Sequence, residues 1–201
     1  MYYFTFLSSF SISSLTCAVV DFFYPENRVK LETKKNVRRD YLKMLPNVIT
    51  NLIVAYPIFS LTEEYIKDKN ILIENPIVYF FSWIIATDLM FYTMHYIFHY
   101  PWLYKNFHSV HHQFRYTYGM GAIYGHPLDF IITNLFPTFY FIYLIPPDDY
   151  IINILIIFST SYTVLISHSC FNFVNKSHLI HHLKYKRYYG LVLSDKIFNT
   201  N

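Results

Sequence analysis

The sequence predicts an all-α integral membrane protein, a helical transmembrane bundle of about four to five spans with its histidines gathered on the cytosolic side. Three observations lead there. Hydrophobic residues make up 54% of the 201-residue chain and charged residues only 14%, where a soluble domain carries about 25% charged residues. The apolar residues fall in runs long enough to cross a hydrocarbon core of about 30 Å at about 1.5 Å per residue. The charges are bunched in short stretches between those runs. At this length, residues 1–201 are expected to form one membrane-embedded domain.

Residues 1–24 are apolar and serine-rich, and they lack the basic start of a signal peptide. They read as a retained, weak membrane segment. Residues 25–45 follow as a basic loop carrying Arg28, Lys30, Lys34, Lys35, Arg38, Arg39 and Lys43, and short basic loops stay in the cytosol. A second apolar run covers residues 46–61 and a polar turn, "EEYIKDKN", closes it. The third run, 76–98, is long enough to span. The fourth and fifth, 128–145 and 150–167, are separated by "PPDD" at 146–149, which turns them into a hairpin.

Parity then has a consequence. With the basic loop in the cytosol, the second run crosses out and the third crosses back, so residues 95–126 are cytosolic. The fourth and fifth runs form another excursion, which returns residues 168–201 to the same side. All 10 histidines lie between positions 95 and 182, so every one of them is expected on one face of the membrane.

Those histidines are His95, His99, His108, His111, His112, His126, His168, His178, His181 and His182. They include one HxxxH at 95–99 and two HxxHH at 108–112 and 178–182. On a helix, positions three and four apart share a face, so His95 with His99 can bind one metal. Adjacent His111 and His112 diverge by about 100°, so one can reach one ion while its neighbour reaches another. A doubled HxxHH therefore suits a two-metal centre. Imidazole suits Zn, Fe, Cu and Ni, and the donor set alone does not choose among them. Taken singly, His126 and His168 also read as ordinary hydrogen-bonded polar groups.

Asp88 lies inside the third apolar run, seven residues before His95 and on its stripe. A carboxylate in a membrane span is costly unless it has a partner, and ligating imidazoles commonly donate their other N–H to one. Asp88 is therefore expected to orient an imidazole. No further catalytic residue is read beyond the histidines. Transport predicts polar residues along the spans, which hold almost none besides Asp88. A net charge of +3 without a basic stripe argues against nucleic acid. Cys17 and Cys170 form neither a disulfide framework nor a CxxC site.

The segments "DLMFYTMHYIFHYPWLYKNFHSVHHQF", "AIYGHPLDF", "SHSCFNF", "HLIHH" and "DKIFNT" resemble the fatty acid hydroxylase and sterol desaturase superfamily of integral membrane, non-haem di-iron oxygenases. The resemblance covers about residues 40–200. "PWLYKNFHSVHH" and His126-Pro127 look most like its C-4 methylsterol oxidase branch. It implies a helical bundle topped by a cytosolic metal-binding cap in the endoplasmic reticulum. It also implies two irons (zinc on purification being the substitute), O2, and electrons drawn from NAD(P)H through a cytochrome b-type donor and its reductase. By resemblance His95, His99, His108, His111, His112, His178, His181 and His182 fall on the three ligand boxes, and His126 and His168 match two further family histidines.

The implied activity is hydroxylation of a lipid C–H bond in sterol or lipid biosynthesis, with a sterol favoured. Hydroxylation or desaturation of an acyl chain or sphingolipid is the alternative. The non-enzyme alternatives are a zinc-binding membrane protein and an inactive relative that keeps the cap. The chain departs from the family at Tyr96, where Arg is usual, at Cys170 and Asn172 of "HSCFN", and at Asn199 in place of Gly.

The parity argument is testable. In sealed microsomes, cysteines introduced within residues 99–126 and at the C-terminus should label from the cytosolic side only, and the sequon Asn175-Lys176-Ser177 should stay unglycosylated. Labelling of either region from the lumen would refute the topology.

Overall fold

The computed structural model describes residues 1–24, 37–69, 71–169, 171, 174, 176–191 and 193–201. Most of the basic loop, Cys170, Asn172 and the sequon residue Asn175 lie outside the described residues. The architecture is all-helical. Five helices are long and apolar enough to cross a membrane: α1 (Tyr2–Phe23), α2 (Val37–Ile66), α3 (Pro76–Phe98), α5 (Pro127–Leu144) and α6 (Asp149–Ser167). Three short elements join them. α4 covers residues 101–111 and includes a π-helical turn at Tyr104–His108; α7 is Ser177–Lys184 and α8 is Ser194–Ile197.

Between 28 and 39% of the apolar window of each span is buried inside the protein. The rest faces outward through residues such as Ile12, Ile53, Leu61, Ile77 and Phe81. An apolar exterior of that extent is the surface a bilayer covers and water does not.

The span boundaries match the expected runs closely except in α2, which begins at Val37 rather than near residue 46. The buried stripe gives the reason. Asp40, Met44, Val48, Asn51, Ala55, Phe59, Thr62 and Ile66 are buried, a 4-4-3 spacing that keeps one helical face inward. Arg38, Arg39 and Lys43 occupy the other faces, so the second half of the basic stretch is helix with its charge turned outward. Pro46 and Pro57 sit inside this helix without ending it.

α1 is a full member of the bundle. Two of the serines that lower its hydropathy lie on its packing face: Ser9 Oγ lies 3.2 Å and Ser13 Oγ 3.4 Å from Ser161 Oγ on α6. Small polar residues let membrane helices approach closely and bond across the contact. At one end of the bundle the α2–α3 turn meets the "PPDD" turn, where Ile71 N–H donates to the Pro146 carbonyl (2.9 Å). Asp148 caps α6 there by accepting from Ile151 N–H (3.0 Å). The opposite end carries the histidines.

The 3₁₀ turn Gly119–Ile123 crosses that histidine end. Asn51 Nδ2 donates to the carbonyls of Ile123 (2.7 Å) and Gly125 (2.9 Å), and Asn47 pairs with Gly125 in both directions. Buried α2 side chains thus hold a loop whose backbone the site uses. The turn also passes so close to α1 that a Cβ on Gly119 would stand 2.5 Å from Cys17 Sγ and 2.6 Å from Cys17 Cβ. Gly119→Ala is expected to destabilise the protein by about 1–3 kcal/mol through overpacking, measured as a fall in melting temperature in detergent. Adding Cys17→Ala should recover only part of the loss, because the Cβ contact remains. A Gly119→Ala variant as stable as the parent would show that the turn moves freely.

Candidate metal centre

The histidines arrive at one place from four elements. His95 and His99 lie one turn apart at the end of α3, His108 and His111 on α4 with His112 at its cap, His168 directly after α6, and His178, His181 and His182 on α7. The structure sorts nine of them into two groups. His95, His99, His108, His112 and His181 form one, and His111, His168, His178 and His182 the other; within each group the ligand-capable nitrogens lie within 4.8 Å of one another. Adjacent His111 and His112 therefore serve different groups, as do adjacent His181 and His182, which is the divergence their helical spacing predicts. All are buried except His99, which is half-buried.

The ring nitrogens are not equivalent. Nδ1 of His95 faces the Tyr189 carbonyl (2.8 Å), that of His111 the Tyr124 carbonyl (2.8 Å), that of His168 the Thr163 carbonyl (3.0 Å) and that of His181 the Arg187 carbonyl (2.7 Å). Nδ1 of His108 faces Asp129 Oδ2 (2.9 Å). Carbonyls and carboxylates only accept, so each of these Nδ1 atoms carries the proton and donates. In a neutral ring the Nε2 atom is then a bare lone pair.

The Nε2 atoms stand in close pairs, and in four of the five one of these bare atoms faces a ring, His99, His112 or His178, whose Nδ1 proton no carbonyl or carboxylate among the described residues fixes. Nε2–Nε2 distances are 3.1 Å for His99–His181 and His108–His112, 3.2 Å for His112–His181, and 3.1 Å for His168–His178. The fifth such pair is His178–His182 at 3.2 Å. His95 Nε2 is buried without a hydrogen-bond partner among the described residues. Imidazole nitrogens about 2.1 Å from a shared ion stand about 3.0 Å apart at a right angle around it and about 3.4 Å apart at the tetrahedral angle. The observed spacing, the orphaned nitrogen and the tautomers all fit a metal in each group.

Burial opposes protonation of most of these rings. It lowers the pKa of His111 to about 4 and those of His168 and His181 to about 3, and it pushes His99, His112, His178 and His182 down as well. Neutral imidazole is the ligating form.

Two sequence expectations change. His126 is brought into neither group. Its Nδ1 accepts from Leu128 N–H (3.2 Å) at the start of α5, and its ring packs on Phe107. Asp88 does not orient an imidazole: its buried carboxylate accepts from the N–H groups of Leu191 (2.7 Å), Leu193 (2.8 Å) and Ser194 (2.8 Å), and none of these donors is a histidine. The carboxylate that does meet an imidazole is Asp129, three residues beyond His126. The sequence signal for it is an acid at the start of an apolar run, beside a histidine, in "GHPLDF".

Beneath the histidines an apolar cavity of about 360 Å³ lies among α1, α2, α3, α5 and α6, with Phe10, Trp83, Phe91, Phe139 and Val164 on its walls. Phe91 also packs against His95, with ring centroids 5.0 Å apart. Phe81, Ile85 and Phe158 line the cavity and are exposed on the outer face of α3 and α6, so the cavity reaches the membrane-facing side.

Comparison with known proteins gives a family match: the fatty acid hydroxylase family model matches residues 80–200. The chain is 29% identical over 113 residues to methylsterol monooxygenase 2-1 of Arabidopsis thaliana, covering 51% of this chain and 40% of that protein. It is 24% identical over 185 residues to fatty acid hydroxylase domain-containing protein 2 of Macaca fascicularis, covering 83% and 54%. It is 27% identical over 134 residues to the very-long-chain aldehyde decarbonylase GL1-11 of Oryza sativa subsp. indica, covering 61% and 49%. The chain thus spans about half the length of these relatives or less. No solved structure matches.

Asp129→Asn removes the negative charge behind His108 while keeping the side chain's shape. Metal affinity is expected to fall about 10- to 100-fold, read by titration against a competing chelator. An unchanged affinity would show that the Asp129 charge does not tune His108.

Proposed function

This chain belongs to the fatty acid hydroxylase family, and from that premise we propose that it is a di-iron membrane oxygenase that hydroxylates a lipid C–H bond. The observation that carries the reading is the pair of close imidazole groups with their Nε2 atoms turned toward one another. His95, His99, His108, His112 and His181 would hold one iron, and His111, His168, His178 and His182 the other. Iron bound there supplies O2 reduction and the oxidation of an unactivated C–H bond.

The protein's own residues do the rest. The carbonyls of Tyr189, Tyr124, Thr163 and Arg187 hold the Nδ1 protons, which fixes ring orientation and raises ligand basicity. The cavity under the site binds an apolar chain or ring system and excludes water. Its opening at Phe81, Ile85 and Phe158 lets a lipid enter from the bilayer. The methylsterol monooxygenase relatives favour a methylsterol as substrate. On this reading the site faces the cytosol at the endoplasmic reticulum, where a cytochrome b-type donor and its reductase deliver electrons from NAD(P)H.

A second reading comes from the donor set itself. All-imidazole sites also suit zinc, which would make the chain a zinc-binding membrane protein without redox chemistry. Metal analysis and Mössbauer spectroscopy of anaerobically purified protein separate the two, and product analysis with methylsterol and acyl-lipid substrates then tests the reaction. His111→Ala and His181→Ala should each abolish product formation and lower bound iron, since they open different groups. Full turnover with iron retained in either variant would defeat the ligand assignment.

A further inference from the structure

We propose that Asp88 is a positioning residue for the five-histidine group, acting through the C-terminal segment rather than on an imidazole. This rests on the metal-binding reading above. Asp88 is 2% exposed in the middle of a membrane helix, where an ionised carboxylate needs several donors. It has them from one source. Besides the three backbone N–H groups of Leu191, Leu193 and Ser194, the Ser194 hydroxyl donates to it (3.1 Å). The segment after α7 is therefore clamped onto α3.

That same segment supplies the carbonyls of Arg187 and Tyr189, which hold the Nδ1 protons of His181 (2.7 Å) and His95 (2.8 Å). A second carboxylate fixes it from the other side: Asp195 accepts from Tyr189 N–H (2.8 Å), Gly190 N–H (2.9 Å) and the Thr200 hydroxyl (2.7 Å). His95 and His181 both belong to the five-histidine group. The four-histidine group draws its carbonyls from Tyr124 and Thr163, on other elements. The clamp thus reaches one metal position and not the other. Loosening it frees two of five ligands to rotate or change tautomer, a loss that typically costs about 10- to 100-fold in metal affinity.

The test is metal content of the purified full-length chain after iron loading and a fixed wash against a chelator. The wild type should retain about two ions per chain, and Asp88→Asn and Asp195→Asn about one each, if ligand positioning is worth its usual factor. Adding His182→Ala, which opens the four-histidine group, to either variant should leave none. Two ions retained in Asp88→Asn and Asp195→Asn would overturn the inference while leaving the metal-binding reading intact. Loss of both ions in the single variants, or an ion surviving in the double variants, would equally overturn it, since the clamp would not be selective. A wild type that holds no metal would refute the function itself. Should Asp88→Asn fail to accumulate in the membrane, Asp195→Asn, sited outside the spans, decides the matter.

Discussion

The crowding of nine imidazoles into two close groups is the constraint on which this structure turns. Five pairs of Nε2 atoms stand 3.1 to 3.2 Å apart, and in four of them one ring has its Nδ1 proton committed to a carbonyl or carboxylate, so that its Nε2 can only accept. Protonating His111, His168 or His181 is opposed by burial, which lowers their pKa to about 4, 3 and 3. Without a cation some of the buried ring nitrogens, including His95 Nε2, lack a partner among the described residues, in a medium where an unpaired polar atom is costly. A metal in each group turns the same arrangement into a ligand shell. The rest of the fold can be understood as the frame that holds the rings in this otherwise unfavourable order.

The bundle holds them by ending its helices together. α3 and α6 deliver His95, His99 and His168 at one end, while the turns near residues 71 and 146 are tied together at the other. Side chains on α2 add Asn47 and Asn51, which fix the loop whose Tyr124 carbonyl meets His111. Three π-helical turns, Tyr104–His108, Phe130–Leu135 and Tyr162–Ser167, lie against His108, Asp129 and His168 respectively. A π-turn shifts the register of the residues beyond it and is common where function sets the geometry. After the third of them, the Thr163 carbonyl accepts both the backbone N–H and the Nδ1–H of His168.

Much of this was legible in the sequence, and for identifiable reasons. Hydropathy located all five spans because only long apolar helices satisfy both the bilayer and the backbone. The HxxxH and HxxHH spacings foretold which adjacent histidines part company, because 3.6 residues per turn fixes the angle between neighbours. A partner from another element is beyond the reach of spacing. Asp88 shares a stripe with His95, yet its partners lie more than 100 residues away at Leu191, Leu193 and Ser194. His126 looked like one more ligand in a histidine-rich chain, and instead it caps a helix beside the carboxylate that matters. Asn199 has a φ of 54°, in the left-handed region that Asn tolerates best after glycine. Tyr185 and Tyr188, also at positive φ, gave no such signal, because aromatic residues rarely adopt it; Tyr185 takes it as the left-handed cap that ends α7.

The cavity and the histidines also share walls, which bears on how substrate choice and chemistry are linked in one small bundle. Phe91 lines the cavity and packs on His95; Thr163 lines it and holds His168 through its carbonyl; Asp88 and Leu191 line it and belong to the clamp next to His95 and His181. Each contact reaches the imidazoles by a separate route. Protein interiors are packed densely enough to transmit displacements of this kind rather than absorb them. A molecule filling the cavity would therefore touch residues that also contact the imidazoles or the clamp beside them. Cavity shape and ligand geometry cannot vary independently here, and a substitution that widens the cavity at Phe91 alters the packing of His95 by the same change.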